Sequence, residues 1–370
     1  MRKSKRTSIY KEDFGFRNVP HVSQNMMSRK HCTAAITLLI LCLLGLGSCL
    51  PKPPSQSGGG GANITLYGFS IMKESLEKSI YPAFASKWKS EHGVNVHFTS
   101  SFAGSETVTN QILQGVKAQI AILSIERDAQ RLKYGNAVTS DWRALPQKGI
   151  VNKTPFVILV RKGNPKGIHD FSDLAKPGIK LIHPDPESSG GAQWSILAIY
   201  GSELVKTEKQ TGTPDRARAL QTLQAIWRNV VSTPSSAREA RATFEQGYGD
   251  ALVTYELEGL LLKDAGGAFE VIVPEATIFS EHPVVIVDRN VSPADRPVIE
   301  AFVRFLWTDD AQRAFVKNHF RPAMNDALTQ ENKDLATIKY PFTVDYFGGW
   351  ERAYPEVIEA IFKRQVQKRK

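Results

Sequence analysis

Short apolar stretches alternate along this chain with amphipathic segments, and this alternation constrains its fold more than any other feature. β-branched and aromatic residues concentrate at residues 63–69, 155–161 and 251–255, a composition typical of buried strands. Residues 73–88 instead carry large apolar side chains at intervals of four, which predicts an amphipathic helix. Because such strands and helices follow each other in turn, the sequence predicts α/β layers with mainly parallel sheets.

An apolar run at residues 34–46 follows the basic pair Arg29 and Lys30. A run of about a dozen residues suits the core of a signal peptide and is too short to cross a bilayer as a helix. It ends in the sequence LGSC, which resembles a bacterial lipobox. We therefore predict that residues 1–49 form a lipoprotein export segment and that lipidated Cys49 anchors the protein to a membrane surface. An ordinary signal peptide with an accidental cysteine is the alternative.

The stretch before Met26 and Met27 is unusually long for a signal peptide. A start at either methionine would make residues 1–25 an untranslated extension. Residues 50–61, with the sequence LPKPPSQSGGGG, combine stiff proline with flexible glycine and predict a linker rather than a folded element. The folded domain is therefore expected to begin at residue 62.

Cysteines and charge restrict the kinds of site that this domain can contain. The three cysteines, Cys32, Cys42 and Cys49, all lie in the predicted export segment, which rules out disulfides and cysteine zinc sites in the domain. The histidines lack the helical pairing of metal ligands, and we expect no metal and no cofactor. The formal net charge is +10, but no basic run is interleaved with aromatic residues, so nucleic-acid binding is not expected.

Three predicted strand ends lead through small and hydroxyl-bearing residues into a helix, at residues 101–105, 188–192 and 235–237. The first amides of a helix have no partner within it, and the helix dipole is positive there, so such a junction binds anions. Glycine in these segments allows an anion to approach the backbone closely. For each segment taken alone, a serine-capped helix without a ligand is the alternative.

Longer motifs carry a resemblance to a known family. They are RKGNPK at residues 161–166, PDPESSGGAQW at residues 184–194, GDALV at residues 249–253 and FGGW at residues 347–350. Their order and their spread over most of the predicted domain resemble those of the periplasmic sulfate- and thiosulfate-binding proteins of ABC transporters. The resemblance implies an exported, monomeric solute-binding protein that works with an ABC permease and its ATPase.

The same resemblance implies the α/β, two-lobed type II periplasmic-binding-protein fold, with the ligand in a central cleft between the lobes. Two crossover strands would join the lobes near Thr154 and His282. Lobe 1 would then comprise residues 62–153 and 283–370, and lobe 2 would comprise residues 154–282.

In this family a buried sulfate accepts hydrogen bonds from uncharged donors and touches no counter-ion. The resemblance implies a hydroxyl donor at Ser105, hydroxyl and amide donors at residues 189–191, and an amide donor at Ala237. Sulfate is fully ionised near neutral pH and needs donors only, whereas phosphate keeps a proton and needs an acceptor. The complete set of implied ligand-binding residues is Ser70, Ser105, Ser189, Gly190, Gly191, Ala237 and Tyr255.

Three places depart from the family pattern. Residues 70–73 read SIMK where the family usually has Tyr-Asp-Pro-Thr, so a backbone amide or the Ser70 hydroxyl would replace the family's donor. Tyr255 stands where the family has a tryptophan, and its phenol can both donate and accept, which would tune the site towards thiosulfate or a related oxyanion. Residues 126–128 also differ and are expected at the solvated surface; one of them in the cleft would favour phosphate.

The sequence therefore predicts a lipoprotein of the periplasm or cell surface that captures sulfate or thiosulfate for an ABC importer. Binding proteins for phosphate, molybdate or an organic sulfonate, and an anion-sensing lipoprotein, are the alternatives. A serine hydrolase is disfavoured because Ser189 is not embedded in a G-x-S-x-G elbow, and we expect no enzymatic activity.

Overall fold

The computed structural model describes residues 61–369. The predicted export segment, its lipidation site Cys49 and residues 50–60 of the predicted linker lie outside this range. Within it, paired strands form two similar halves that are joined by two long strands. None of the helices in this range has the length and apolar character that crossing a membrane requires.

The first half consists of three strands, each followed by helical structure. Its elements are β1 (Ala62–Phe69), α1 (Lys73–Ser75), α2 (Tyr81–His92), β2 (Val96–Ala103), α3 (Ser105–Leu113), β3 (Ile120–Ile122) and α4 (Glu126–Tyr134). A 3-10 turn (Ser70–Met72) precedes α1, and a π-helical stretch (Leu76–Ile80) joins α1 to α2. β1 pairs in parallel with β2 and β3 and buries Ile64 and Leu66 in the core. The helices of this half therefore begin at one edge of a parallel sheet.

The second half repeats this arrangement. Its elements are β4 (Ile150–Arg161), β5 (Leu181–Ile182), α5 (Gly190–Thr211), α6 (Arg216–Arg228), β6 (Val230–Ser232), α7 (Ala237–Glu245), β7 (Ala251–Tyr255), α8 (Glu256–Asp264), β8 (Phe269–Ile272) and β9 (Ala276–Ile286). β5 pairs in parallel with β6 and β7, and β4 runs antiparallel beside β7. The order β6-β5-β7-β4 matches β2-β1-β3-β9 in the first half, so the halves share one topology without a visible sequence repeat.

The long strands β4 and β9 carry the chain between the halves and pair with each other antiparallel. Thr154 lies opposite Ser280, and Asn152 lies opposite His282, within the fully buried part of this pairing. His282 Nδ1 is 2.6 Å from Asn152 Oδ1. Burial lowers the pKa of His282 to about 3, so the imidazole is neutral. Neutral hydrogen bonds therefore hold the crossing between the halves.

The C-terminal part of the chain packs on both halves. Its elements are α9 (Arg296–Phe305), α10 (Asp309–Lys317), β10 (Arg321–Pro322), β11 (Tyr340–Phe342), α11 (Trp350–Ala353) and a π-helical continuation (Tyr354–Val366). Phe302 of α9 packs edge-on against Phe84 of the first half, with ring centroids 5.1 Å apart. Trp350 of α11 packs edge-on against Trp194 of the second half at 4.7 Å. The residue limits predicted for the two lobes stay a prediction.

Candidate functional site

The three strand-to-helix junctions singled out in the sequence meet at Gly104, which directly precedes α3. A Cβ atom on Gly104 would overlap the carbonyl oxygen of Ser188 and would lie 2.8 Å from that of Ser235. Only glycine leaves room for two backbone segments to come this close. The N-termini of α3, α5 and α7 therefore converge, which the spacing along the sequence did not establish.

Helix α5 brings its first amides to the same place. A Cβ atom on Gly190 would lie 2.9 Å from the Cβ atom of Ser124 and 3.2 Å from that of Ser105. A Cβ atom on Gly191 would lie 2.7 Å from the hydroxyl oxygen of Tyr255. Because the first amides of a helix have no carbonyl one turn earlier to bond with, the N–H groups of both glycines can serve an anion.

Ser189 and Ala237 add donors from two helix starts. Ser189 caps α5 and is buried, and its Oγ accepts the amide hydrogen of Ala192 at 3.4 Å. Its own hydroxyl hydrogen remains for a ligand. Ala237 begins α7, which Ser236 caps by accepting the amide hydrogen of Glu239 at 3.2 Å. The Ala237 amide is therefore another helix donor without an intrahelical partner.

Ser70 opens the 3-10 turn after β1, is buried, and lies in a segment that packs against α7. Beside this turn, Arg238 of α7 makes a salt bridge with Glu74 of α1, with Nη2 2.7 Å from Oε2. The same Nη2 atom lies 2.8 Å from Oε1 of the fully buried Glu258. Because Glu74 belongs to the first half and the other two to the second, this cluster joins the halves next to the junction.

Asp128 corrects one expectation from the sequence. Residues 126–128 were expected at the solvated surface, but Asp128 is fully buried. Ser105 Oγ donates to Asp128 Oδ2 at 2.6 Å and accepts the amide hydrogen of Ser124 at 2.9 Å. Asp128 is buried because it shares the inward face of α4 with Ala129 and Leu132. A carboxylate therefore lies directly behind a predicted ligand donor.

A charged cluster surrounds this carboxylate. Glu106 of α3 forms ion pairs with Arg127 (3.0 Å) and Arg131, and it accepts from Gln193 of α5 at 3.0 Å. Arg131 Nη1 also lies 3.3 Å from Asp128 Oδ1. Burial and the nearby charge of Glu106 raise the pKa of Asp128 above its usual range, against the opposing effects of Ser105 and the two arginines. The Asp128 carboxyl is therefore easier to protonate than that of an exposed aspartate.

Ser124 is a site residue that the sequence analysis did not single out, and it lies just after the end of β3. Its Oγ is 2.9 Å from the hydroxyl of Tyr255, and Trp194 Nε1 donates to its carbonyl oxygen at 2.7 Å. Ser124 lies in the first half, and its two partners lie in the second. Burial raises the pKa of Tyr255, so the phenol stays protonated. These contacts hold the two halves together across the junction.

Comparison with protein families decides which group the chain belongs to. The model of the bacterial extracellular solute-binding protein family matches residues 74–321. This chain belongs to that family. The matched range contains all of the predicted ligand-binding residues except Ser70.

Relatives of this solute-binding protein carry more specific names. A protein of Synechococcus elongatus named sulfate-binding protein is 32% identical over 334 residues, which cover 89% of this chain and 93% of the relative. A thiosulfate-binding protein of Pseudomonas aeruginosa is 30% identical over 288 residues, which cover 76% of this chain and 85% of the relative. Both are named as binding proteins rather than as enzymes.

A solved structure confirms the fold class of this solute-binding protein. The sulfate-binding protein SubI from Mycobacterium tuberculosis matches with a TM-score of 0.71 and 30% identity, covering 80% of this chain and 98% of that one. The α/β, two-lobed type II periplasmic-binding-protein fold predicted from the sequence is therefore confirmed. That the predicted site residues contact a ligand stays a prediction.

Proposed function

We propose that this solute-binding protein captures one sulfate or thiosulfate ion at the junction around Gly104 and delivers it to an ABC importer. The observation that carries the proposal is the convergence of three helix N-termini on one glycine. Each helix start contributes amides without intrahelical partners and a partial positive charge. The names of the relatives, sulfate-binding and thiosulfate-binding protein, support this choice of ligand.

The donor set suits an anion that carries no proton. The amides of Gly190, Gly191 and Ala237 and the hydroxyl of Ser189 donate and have fixed positions on helix starts. The arginines near the junction do not need the anion as a partner, because Arg127 and Arg238 are already paired with carboxylates. Neutral, preorganised donors therefore provide the binding energy in this proposal.

The proposed setting is the periplasm or the cell surface, with the protein attached through a lipid on Cys49. The lobes close around the anion by a hinge motion and then dock on a permease whose ATPase drives transport. The protein acts as a monomer and catalyses no reaction. Replacement of Cys49 by serine should abolish incorporation of labelled fatty acid and release the protein from membranes; unchanged membrane attachment would contradict the anchor.

Phosphate is the second candidate ligand, and the buried carboxylate of Asp128 favours it. A hydrogen phosphate ion carries a proton that requires an acceptor, and Asp128 lies one hydrogen bond behind Ser105. Asp128 is fully buried behind the Ser105 hydroxyl, so in this proposal Ser105 rather than Asp128 contacts the ion. Sulfate or thiosulfate therefore remains the primary proposal.

Calorimetric titration tests the proposal, with the purified protein dialysed free of bound anion. Sulfate, thiosulfate, phosphate and molybdate are compared at pH 6 and pH 8. We expect one-to-one binding of sulfate or thiosulfate and little heat from phosphate. Binding of phosphate with sulfate silent would overturn the choice of ligand, and no binding by any of the four would overturn the proposed function.

A further inference from the structure

Two buried hydroxyls from opposite halves meet beside the first turn of α5. Ser124 Oγ, from the first half, lies 2.9 Å from the hydroxyl oxygen of Tyr255, from the second half. A Cβ atom on Gly190 would lie 3.0 Å from Ser124 Oγ, and one on Gly191 would lie 2.7 Å from the Tyr255 oxygen. The hydroxyl pair therefore lies against the two glycines whose amides the proposed function assigns to the anion.

The two hydroxyls have one hydrogen more than they use between them. Each hydroxyl offers one hydrogen and two lone pairs, and the bond between the two oxygens uses one of the two hydrogens. Within residues 61–369, neither hydroxyl has another hydrogen-bond partner. Ser124 is 0% and Tyr255 is 1% exposed, so solvent does not accept the second hydrogen. A buried donor without an acceptor is unfavourable, and an anion bound at the start of α5 would supply the acceptor.

The acidity of the two hydroxyls determines which oxygen keeps the spare hydrogen. A phenol is far more acidic than the aliphatic hydroxyl of serine, and it therefore forms the stronger hydrogen bond to a negative charge. The favoured order with an anion bound is that Ser124 donates to the Tyr255 oxygen and Tyr255 donates to the anion. Consecutive hydrogen bonds polarise one another, so the serine strengthens the bond that the tyrosine makes.

The backbone of Ser124 holds its side chain in place for this role. Its amide donates to Ser105 Oγ at 2.9 Å, and its carbonyl oxygen accepts from Trp194 Nε1 at 2.7 Å. Its Cβ atom packs against Gly190, where an added Cβ atom would be only 2.9 Å away. Contacts from both halves therefore fix the position of the Ser124 hydroxyl next to Tyr255.

We propose that Ser124 is a positioning residue for anion capture: its hydroxyl donates to Tyr255 and thereby turns the Tyr255 hydrogen onto an unprotonated oxygen of sulfate or thiosulfate. This inference rests on the proposed function. No covalent bond changes, because both hydroxyl hydrogens only rotate about their C–O bonds. The Ser105 hydroxyl does not compete for this role, since it already donates to Asp128 at 2.6 Å.

The hydroxyl pair forms only when the two halves are closed, because its two oxygens belong to different halves. An anion that enters the open cleft meets Tyr255 before Ser124 has reached it. Loss of the Ser124 hydroxyl should therefore leave the association rate of sulfate unchanged. It should raise the dissociation rate by about three- to tenfold, which is the effect of one neutral hydrogen bond.

The experiment is a double-mutant cycle on the purified protein, with sulfate affinity measured by calorimetry and the rates by stopped flow. Tyr255→Phe should weaken sulfate binding by about ten- to a hundredfold, the effect of a lost hydrogen bond to a charged group. Ser124→Ala should weaken it by about three- to tenfold and should have no further effect once Tyr255 is replaced. Ser90→Ala and Tyr248→Phe change exposed side chains and are the matched controls, which should bind like the wild type.

The near-ultraviolet absorption of tyrosine provides a second measurement, since it shifts to longer wavelength when the phenol donates a hydrogen bond to a negative charge. Sulfate should produce this shift in the wild type and in both control variants. The shift should be smaller in Ser124→Ala and absent in Tyr255→Phe. A purely structural role of Ser124 would leave the shift of Ser124→Ala, measured at saturating sulfate, at its wild-type size.

A loss of affinity in Ser124→Ala that disappears in the Tyr255→Phe background supports the inference. Wild-type affinity in Ser124→Ala, or an equal loss with and without the Tyr255 hydroxyl, overturns it and leaves the proposed function intact. No binding of sulfate or thiosulfate by the wild type overturns the proposed function and this inference together. Sulfate binding without a tyrosine shift in the wild type overturns the inference even if Ser124→Ala does not fold.

Discussion

The two halves of this solute-binding protein share one strand topology but present different donors at the junction. The second half contributes backbone amides of Gly190, Gly191 and Ala237, whose hydrogen-bond polarity cannot change. The first half contributes Ser105, whose backbone amide begins α3 and whose hydroxyl donates to the buried carboxylate of Asp128. The comparison teaches that both halves offer helix amides to an anion, whereas the Ser105 hydroxyl of the first half is already held by a carboxylate and the Ser189 hydroxyl of the second half is not.

Closing the gap at Gly104 should have the largest effect, because both halves meet there. In Gly104→Ala the Cβ atom would overlap the Ser188 carbonyl oxygen, which is backbone and cannot swing away. The halves would be held apart, and donors from at least one half would be lost. With about 1.5–3 kcal/mol for each hydrogen bond to a charged group, sulfate affinity should fall by more than about a hundredfold in calorimetry.

The matched control is Gly93→Ala, since a Cβ atom on Gly93 meets no neighbouring atom. Its positive φ of 69° costs some stability, but sulfate affinity should stay unchanged. Near-normal affinity in Gly104→Ala would mean that the ligand does not require the closed junction.

The two serine hydroxyls should separate the two halves of the junction. Ser189→Ala removes a hydroxyl on α5 and should weaken sulfate binding by about 1–3 kcal/mol at both pH 6 and pH 8. Ser105→Ala should cause a smaller loss, because the Ser105 hydroxyl already donates to Asp128 and the backbone amide of residue 105 is kept. Calorimetric titration measures the contrast, and a larger loss for Ser105→Ala than for Ser189→Ala would contradict the distinction between the halves.

The thermal stability of the anion-free protein should depend on the charge of Asp128. The pKa of Asp128 is raised in the folded protein, so between the unfolded and the folded pKa the folded state holds a proton that the unfolded state has released. The stabilisation is complete below the unfolded pKa and is lost as the pH rises through the folded pKa. Asp128→Asn should therefore raise the Tm at pH 8 by about 2–4 °C, and an unchanged Tm would contradict an elevated pKa.

The smallest effect is expected for the ion pair between Glu74 and Arg238, which joins the halves outside the junction. Burial alone would raise the pKa of Glu74, but its hydrogen bond and attraction to Arg238 lower the pKa below the usual value. The stabilisation from this pair is therefore present above the unfolded pKa and is lost as the pH falls through the folded one. Glu74→Gln should destabilise the protein by about 1 kcal/mol in denaturant unfolding at pH 7. A loss as large as that of a core truncation would show that the pair, rather than the junction, holds the halves together.

The fold was largely predictable because its strands are short, apolar and separated by clear helical patterns. The strand predicted at residues 251–255 coincides with β7. Helix α5 continues through Gly201 to Thr211. A Cβ atom on Gly201 would lie 2.7 Å from the Phe342 ring, so this glycine permits a close contact inside the helix.

The site was predictable in its backbone donors and not in its carboxylate. Serine and glycine before a helix indicate a cap or an anion-binding helix start from the local sequence alone, so residues 189–191 and Ala237 could be named from the sequence. The segment containing Asp128 carries several charged residues, and that composition concealed the inward face of α4. Burial of Asp128 depends on tertiary packing against α3 and on charge compensation by Arg131, which no local pattern reveals.

The most direct test of the central claim is to locate a heavy analogue of the anion in a crystal of the protein. Selenate has the shape and charge of sulfate, and selenium scatters anomalously. We predict a single strong anomalous peak within hydrogen-bonding distance of the amides of Gly190, Gly191 and Ala237. A peak elsewhere in the molecule, or none at saturating selenate, would contradict the account.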